Sequence, residues 1–85
     1  MQTFNYTITD ELGIHARPAG LLVKLAAGFK SNIIISKDGK EANPKRIMAL
    51  MSLGATKGTE ITVKVEGPDE GEAAKLVEEF LKANL

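Results

Sequence analysis

The residues of this chain best suited to chemistry lie in one short run, Gly13-Ile14-His15-Ala16-Arg17-Pro18-Ala19, which holds the only histidine among 85 residues. Histidine is a nucleophile near neutral pH, and the arginine two positions on is a planar, permanently charged donor suited to phosphate oxygens. Pro18 adds a constraint. Proline is tolerated in the first turn of a helix, where its missing N–H would have no intrahelical partner. The run therefore reads as a helix start, with His15 at the N-cap and Ala16 as the first helical residue. The free N–H groups of Ala16 and Arg17 would point outward at the positive end of the helix dipole. An anion held at His15 would accept hydrogen bonds from them. A phosphoryl group on imidazole keeps a high transfer potential, so such a site can accept one and release it again. A plainer alternative makes His15 an ordinary cap residue and Arg17 a surface charge.

Other chemistries find little support. One histidine and no cysteine cannot supply the usual zinc ligand set, and no other metal site is indicated. No serine–acid constellation accompanies His15. Gly54-Ala55-Thr56-Lys57-Gly58 lacks the spacing of a phosphate-binding P-loop.

The elements that must position His15 are legible in the alternation of residue types. Thr3 to Thr9 places Phe4, Tyr6 and Ile8 on one face of a half-buried strand. Asp10 to Gly13 reads as a turn. Ala16 to Ala27 has helical spacing, with Ala19, Leu22, Val23 and Ala26 on one stripe and Gly28 to end it. Ile33-Ile34-Ile35 followed by Lys37-Asp38-Gly39-Lys40 is a hairpin signal. A short helix ends at Gly54. Thr59 to Glu66 alternates again, with Ile61, Val63 and Val65 inward, and Gly67-Pro68 breaks that strand. Asp69 and Glu72 then resemble a capping box for a last helix, whose apolar stripe is Ala73, Leu76, Val77, Phe80 and Leu81. The order is βαββαβα. Strands with a single apolar face need cover on one side only, so the class is α+β, with helices on one face of an antiparallel sheet. A chain this short closes one core, a single domain over residues 1–85.

The second helix, Arg46 to Leu53, is apolar nearly all round. Ala49, Leu50 and Leu53 fall on one arc, and Ile47, Met48 and Met51 on another. A helix lying on a sheet buries one arc, so the second is expected at the surface, where methionines suit several partners. In the first helix Leu21 shares the outer side with Arg17, Gly20 and Lys24. The alternative is that both arcs are core or pack in a dimer.

Eleven basic residues balance eleven acidic ones, yet between Gly13 and Lys57 eight basic residues face only Asp38 and Glu41. That asymmetry suits an acidic partner or an anionic group, or is simply an uneven solvated surface. Nucleic acid is a poor match: net charge is zero, and one tyrosine and three phenylalanines offer little stacking. No apolar run approaches the roughly 18 residues that span a bilayer. With no signal-peptide pattern and no cysteine, the expectation is a cytoplasmic protein without membrane insertion.

These features together resemble the HPr family of histidine phosphocarriers, and the resemblance extends over essentially the whole chain. Residues 13–19 match the family's active-site pattern, while Lys45, Ile47-Met48 and Met51-Ser52-Leu53-Gly54 resemble the second-helix segment of Gram-positive members. The resemblance implies an open-faced β-sandwich, with three helices over a four-stranded antiparallel sheet. It implies that His15 takes a phosphoryl group on Nδ1 from enzyme I and passes it to sugar-specific enzyme IIA domains. Arg17 would assist and Pro18 would shape the turn. Gly20, Leu21, Lys24, Ile47, Met48 and Met51 match the surface on which both partners dock, and Arg46 adjoins it. The implied unit is a monomer without a bound cofactor, a carrier rather than a stand-alone enzyme. One position departs: Gram-positive members usually carry a regulatory serine immediately before Ile47, and here that residue is Arg46. The competing reading is an HPr-like regulatory module that docks on transcription or metabolic proteins without phosphotransfer.

Overall fold

A computed structural model describes all residues, 1–85. Its elements are β1 (Gln2–Thr7), α1 (Ala16–Ala27), β2 (Asn32–Lys37), β3 (Lys40–Ala42), α2 (Ile47–Ser52), β4 (Glu60–Glu66) and α3 (Glu70–Asn84). The strands form one antiparallel sheet in the order β1-β4-β2-β3. Phe4 pairs with Val63 and Ile35 with the same Val63 on its other side, so the apolar residues of three strands share one face. Ile33, Ile35, Ile61, Val63 and Val65 are wholly buried beneath the helices. The opposite face carries Thr3, Asn5 and Lys64 in contact with solvent. The fold is the open-faced α+β sandwich that the periodicity and the family resemblance imply.

The β2–β3 connection turns at Asp38 and Gly39, both at positive φ (48° and 81°), as a tight two-residue hairpin turn requires. The first strand ends earlier than its alternation suggests. Ile8 stays buried, but its N–H donates to Thr59 O rather than continuing a strand, and the N–H groups of Thr9 and Asp10 both donate to Leu85 O. In α1 the buried residues are Pro18, Ala19, Leu22 and Ala26, with Val23 only half-buried. In α3 Ala74 joins the core, while Leu76 and Phe80 lie at its edge.

The capping box expected at Asp69 and Glu72 does not form. Asp69 is the N-cap residue of α3, and its C=O accepts the Ala73 N–H, but its side chain makes no cap bond. The carboxylate instead accepts the N–H groups of Lys30 and Ser31, each at 2.9 Å, together with the Ser31 hydroxyl. Three donors on the loop after α1 outcompete one helix N–H. The Ser31 hydroxyl first, and the Lys30 N–H next, hold the Asp69 carboxyl below the ordinary carboxylate range.

Candidate functional site

The turn before α1 sets the position of His15. The Gly13 N–H donates back to Asp10 O, and the Ile14 N–H donates to Ala55 O, both at 3.0 Å. Gly13 adopts φ +67°, and a Cβ there would lie 2.2 Å from Ala55 O. Only glycine fits this crossing, which fastens the turn to the segment after α2. Ile14 is buried, so the next residue is delivered to the surface at a fixed point.

His15 is the N-cap residue of α1, with extended φ/ψ of −122° and 179°. Its C=O accepts the Ala19 N–H, while its side chain makes no cap bond. The N–H groups of Ala16 and Arg17 have no acceptor within the chain. The imidazole is 35 % exposed, and its Nε2 lies 3.8 Å from Asp10 Oδ1. That separation is too long for a hydrogen bond and short enough for charge to act across it. A groove of about 250 Å³ opens here, lined by Asp10, His15, Arg17, Pro18, Leu21 and Asn84. Pro18 is buried beneath it in the third position of the helix, and Arg17 is exposed at the rim.

The second helix divides as its spacing predicts. Leu50 and Leu53 are buried and Ala49 packs against the core, whereas Ile47 (38 %), Met48 (76 %) and Met51 (37 %) are exposed. Leu21 on α1 is exposed as well. A Cβ on Gly20 would lie 3.9 Å from Ile47 Cδ1, so α1 and α2 meet there, next to the exposed Leu21 that lines the His15 groove.

Of the eleven basic residues, three are engaged within the chain and eight, Lys30, Lys40, Lys64, Lys75 and Lys82 among them, have no carboxylate partner. Lys37 and Lys45 donate to main-chain oxygens, of Gly54 at 3.1 Å and Phe29 at 3.2 Å, and Lys57 lies 3.9 Å from Glu11. Arg17, Lys24 and Arg46 have no carboxylate partner in the chain and are exposed. All three belong to α1 or to the cap of α2, the helices that carry the apolar surface.

Sequence reading missed two features of the site. Asp10 counts only as a turn residue in the sequence, yet its carboxylate accepts the Leu12 N–H at 2.8 Å and faces His15 as well. Leu12, at the apex of the same turn, is 71 % exposed. An exposed apolar residue in a polar turn, just before a chemical histidine, was the available signal.

Comparison with known proteins places this geometry in its class. The family described as "PTS HPr component phosphorylation site" matches residues 2–83. HPr-C-His from Thermoanaerobacter tengcongensis is similar at 40% identity and TM-score 0.92, covering 98% of this chain and 93% of that one. The histidine-containing phosphocarrier protein of Mycoplasma is similar at 39% identity and TM-score 0.93, with 96% and 93% covered. The Bacillus subtilis catabolite repression protein Crh, solved as a swapped dimer, is similar at 39% identity and TM-score 0.79, with 94% and 92% covered. The fold is that of the HPr proteins. The chain belongs to the HPr family.

Proposed function

We propose that this chain is a phosphocarrier whose His15 accepts a phosphoryl group from phosphorylated enzyme I and passes it to sugar-specific IIA domains. The observation that carries this reading is the state of the α1 N-terminus. A nucleophilic side chain stands at the N-cap without serving as the cap, and two N–H groups beside it are left for an anion. Nδ1 is the transferring nitrogen, as the likeness to the HPr family implies, and the approach of Asp10 to the Nε2 edge supports that assignment. The Ala16 and Arg17 amides and the Arg17 guanidinium receive the phosphoryl oxygens. The reaction asks little more of the protein than positioning and charge.

Docking falls to Leu21, Ile47, Met48 and Met51 around Gly20, with Lys24 and Arg46 supplying positive charge toward an acidic partner. The reading is a monomer acting in the cytoplasm, with no helix long and apolar enough to cross a membrane. A regulatory docking module is the second reading, favoured by the likeness to Crh and by the same exposed apolar surface. Incubation with enzyme I and phosphoenolpyruvate, followed by mass spectrometry of the intact chain, separates the two. The carrier gains one phosphate in minutes, and a docking module gains none.

A further inference from the structure

We infer that Asp10 is a positioning residue for phosphotransfer, holding the proton on His15 Nε2 so that Nδ1 works as both nucleophile and leaving group. The inference rests on the carrier reading and adds to it a residue outside the histidine–arginine motif. Asp10 Oδ1 lies 3.8 Å from Nε2 and is fixed by accepting the Leu12 N–H at 2.8 Å. The Asp10 main chain is held too, its N–H donating to Leu85 O and its C=O accepting the Gly13 N–H. The residue is thus anchored at three points, two on its main chain and one on the carboxylate, whose Oδ1 lies toward one edge of the ring.

The electron accounting shows what that charge does. On loading, the Nδ1 lone pair forms a bond to phosphorus, and the bond from phosphorus to the donor breaks with its electron pair leaving on the donor. The ring, already bearing a proton on Nε2, becomes a phosphorylated imidazolium whose positive charge faces Asp10. On delivery, the acceptor's nucleophile bonds to phosphorus and the N–P electrons return to Nδ1. Neutral imidazole is released with the same proton still on Nε2. Had that proton been lost, the leaving group would be imidazolate, a far stronger base and a far poorer leaving group. A fixed carboxylate favours the protonated, cationic ring over the neutral one.

The charged groups around the ring allow this assignment. Asp10 is the one anion lining the groove, and Arg17, from α1, is the one cation. The end of α3 contributes Ala83 and Asn84, both uncharged. Glu11, next in the turn, lies toward Lys57, and the Leu85 main-chain oxygen accepts the Thr9 and Asp10 N–H groups.

Asp10→Asn removes the charge and keeps an oxygen for the Leu12 N–H. Asp10→Ser, with a smaller oxygen acceptor, guards against a folding artefact. Parent and variants, labelled with ¹⁵N at histidine, are phosphorylated with enzyme I and phosphoenolpyruvate and then freed of both. At about pH 9 the Nε2 chemical shift gives the protonated fraction of the ring, which falls about threefold in each variant. Hydrolysis of the phosphoryl group in water, with no partner present, slows by the same factor, and at about pH 5 the rates converge. Equal protonated fractions and equal hydrolysis rates at the higher pH overturn the role of Asp10 and leave the carrier reading standing. A parent that takes up no phosphate on His15 sinks the carrier reading itself.

Discussion

The N-termini of α1 and α3 are built alike and used in opposite ways. Each has a polar residue at the N-cap, His15 in one and Asp69 in the other, and neither side chain caps its own helix. Asp69 is consumed by structure, tied to Lys30 and Ser31 across 38 or more residues of chain. His15 makes no such bond and keeps a third of its side chain in solvent beside two free N–H groups. A helix N-terminus is therefore either a fastening or a site, depending on whether neighbouring donors occupy the cap side chain. At α1 no hydrogen bond consumes the imidazole, and its one charged neighbour, Asp10, stands 3.8 Å away.

The sharpest break between the two ends comes from exchanging their consequences. His15→Ala abolishes phosphate uptake, while stability changes by less than about 1 kcal/mol because no cap bond is lost. Asp69→Asn does the reverse. It lowers the thermal midpoint by about 5 °C and leaves uptake on His15 unchanged. Calorimetry and phosphate incorporation, measured on both variants, check the pair. A large loss of stability in His15→Ala would erase the distinction.

Acid titration of stability sharpens the same contrast. Because the folded-state value of Asp69 lies below its unfolded value of 3.8, its contribution is complete above that pH. It is lost as the pH falls from there through the lowered folded-state value. Denaturant melts of parent and Asp69→Asn should differ near neutrality and converge in strong acid.

The two arcs of α2 give a smaller test of the same division between fastening and function. Met48→Asp, at the most exposed apolar residue of that helix, weakens capture by enzyme I about tenfold and shifts stability by less than ~0.5 kcal/mol. A marked drop in melting temperature would make Met48 core. Arg46→Glu has the least effect, a two- to fivefold slower transfer from enzyme I at low salt, with the gap closing as salt rises. Equal rates at low salt would reduce Arg46 to a solvated residue.

How much of this was legible in the sequence depends on the range of each interaction. The arcs of α2 and the Asp38-Gly39 turn were readable because periodicity and turn chemistry act within a few residues. The placing of His15 at the N-cap and Arg17 in the first turn of α1 was readable for the same reason. The Asp69 capping box was misread because its competitors, the amides of Lys30 and Ser31, are brought alongside only by the folded sheet. Asp10 was passed over although it is close in sequence. Its meeting with the ring depends on the left-handed backbone of Gly13 and the Ile14–Ala55 hydrogen bond, neither of which a residue pattern displays. Lys37 and Lys45 looked like part of a free basic face, but each spends its charge on a main-chain oxygen.

The most direct measurement is the position and chemistry of the phosphate itself. After loading with enzyme I and phosphoenolpyruvate, peptide mapping and ³¹P NMR should find one phosphate, on Nδ1 of His15. A phosphoramidate there is lost in acid and kept in mild alkali. Phosphate that survives acid, or that maps to Ser52 or any residue other than His15, would contradict the account at its centre.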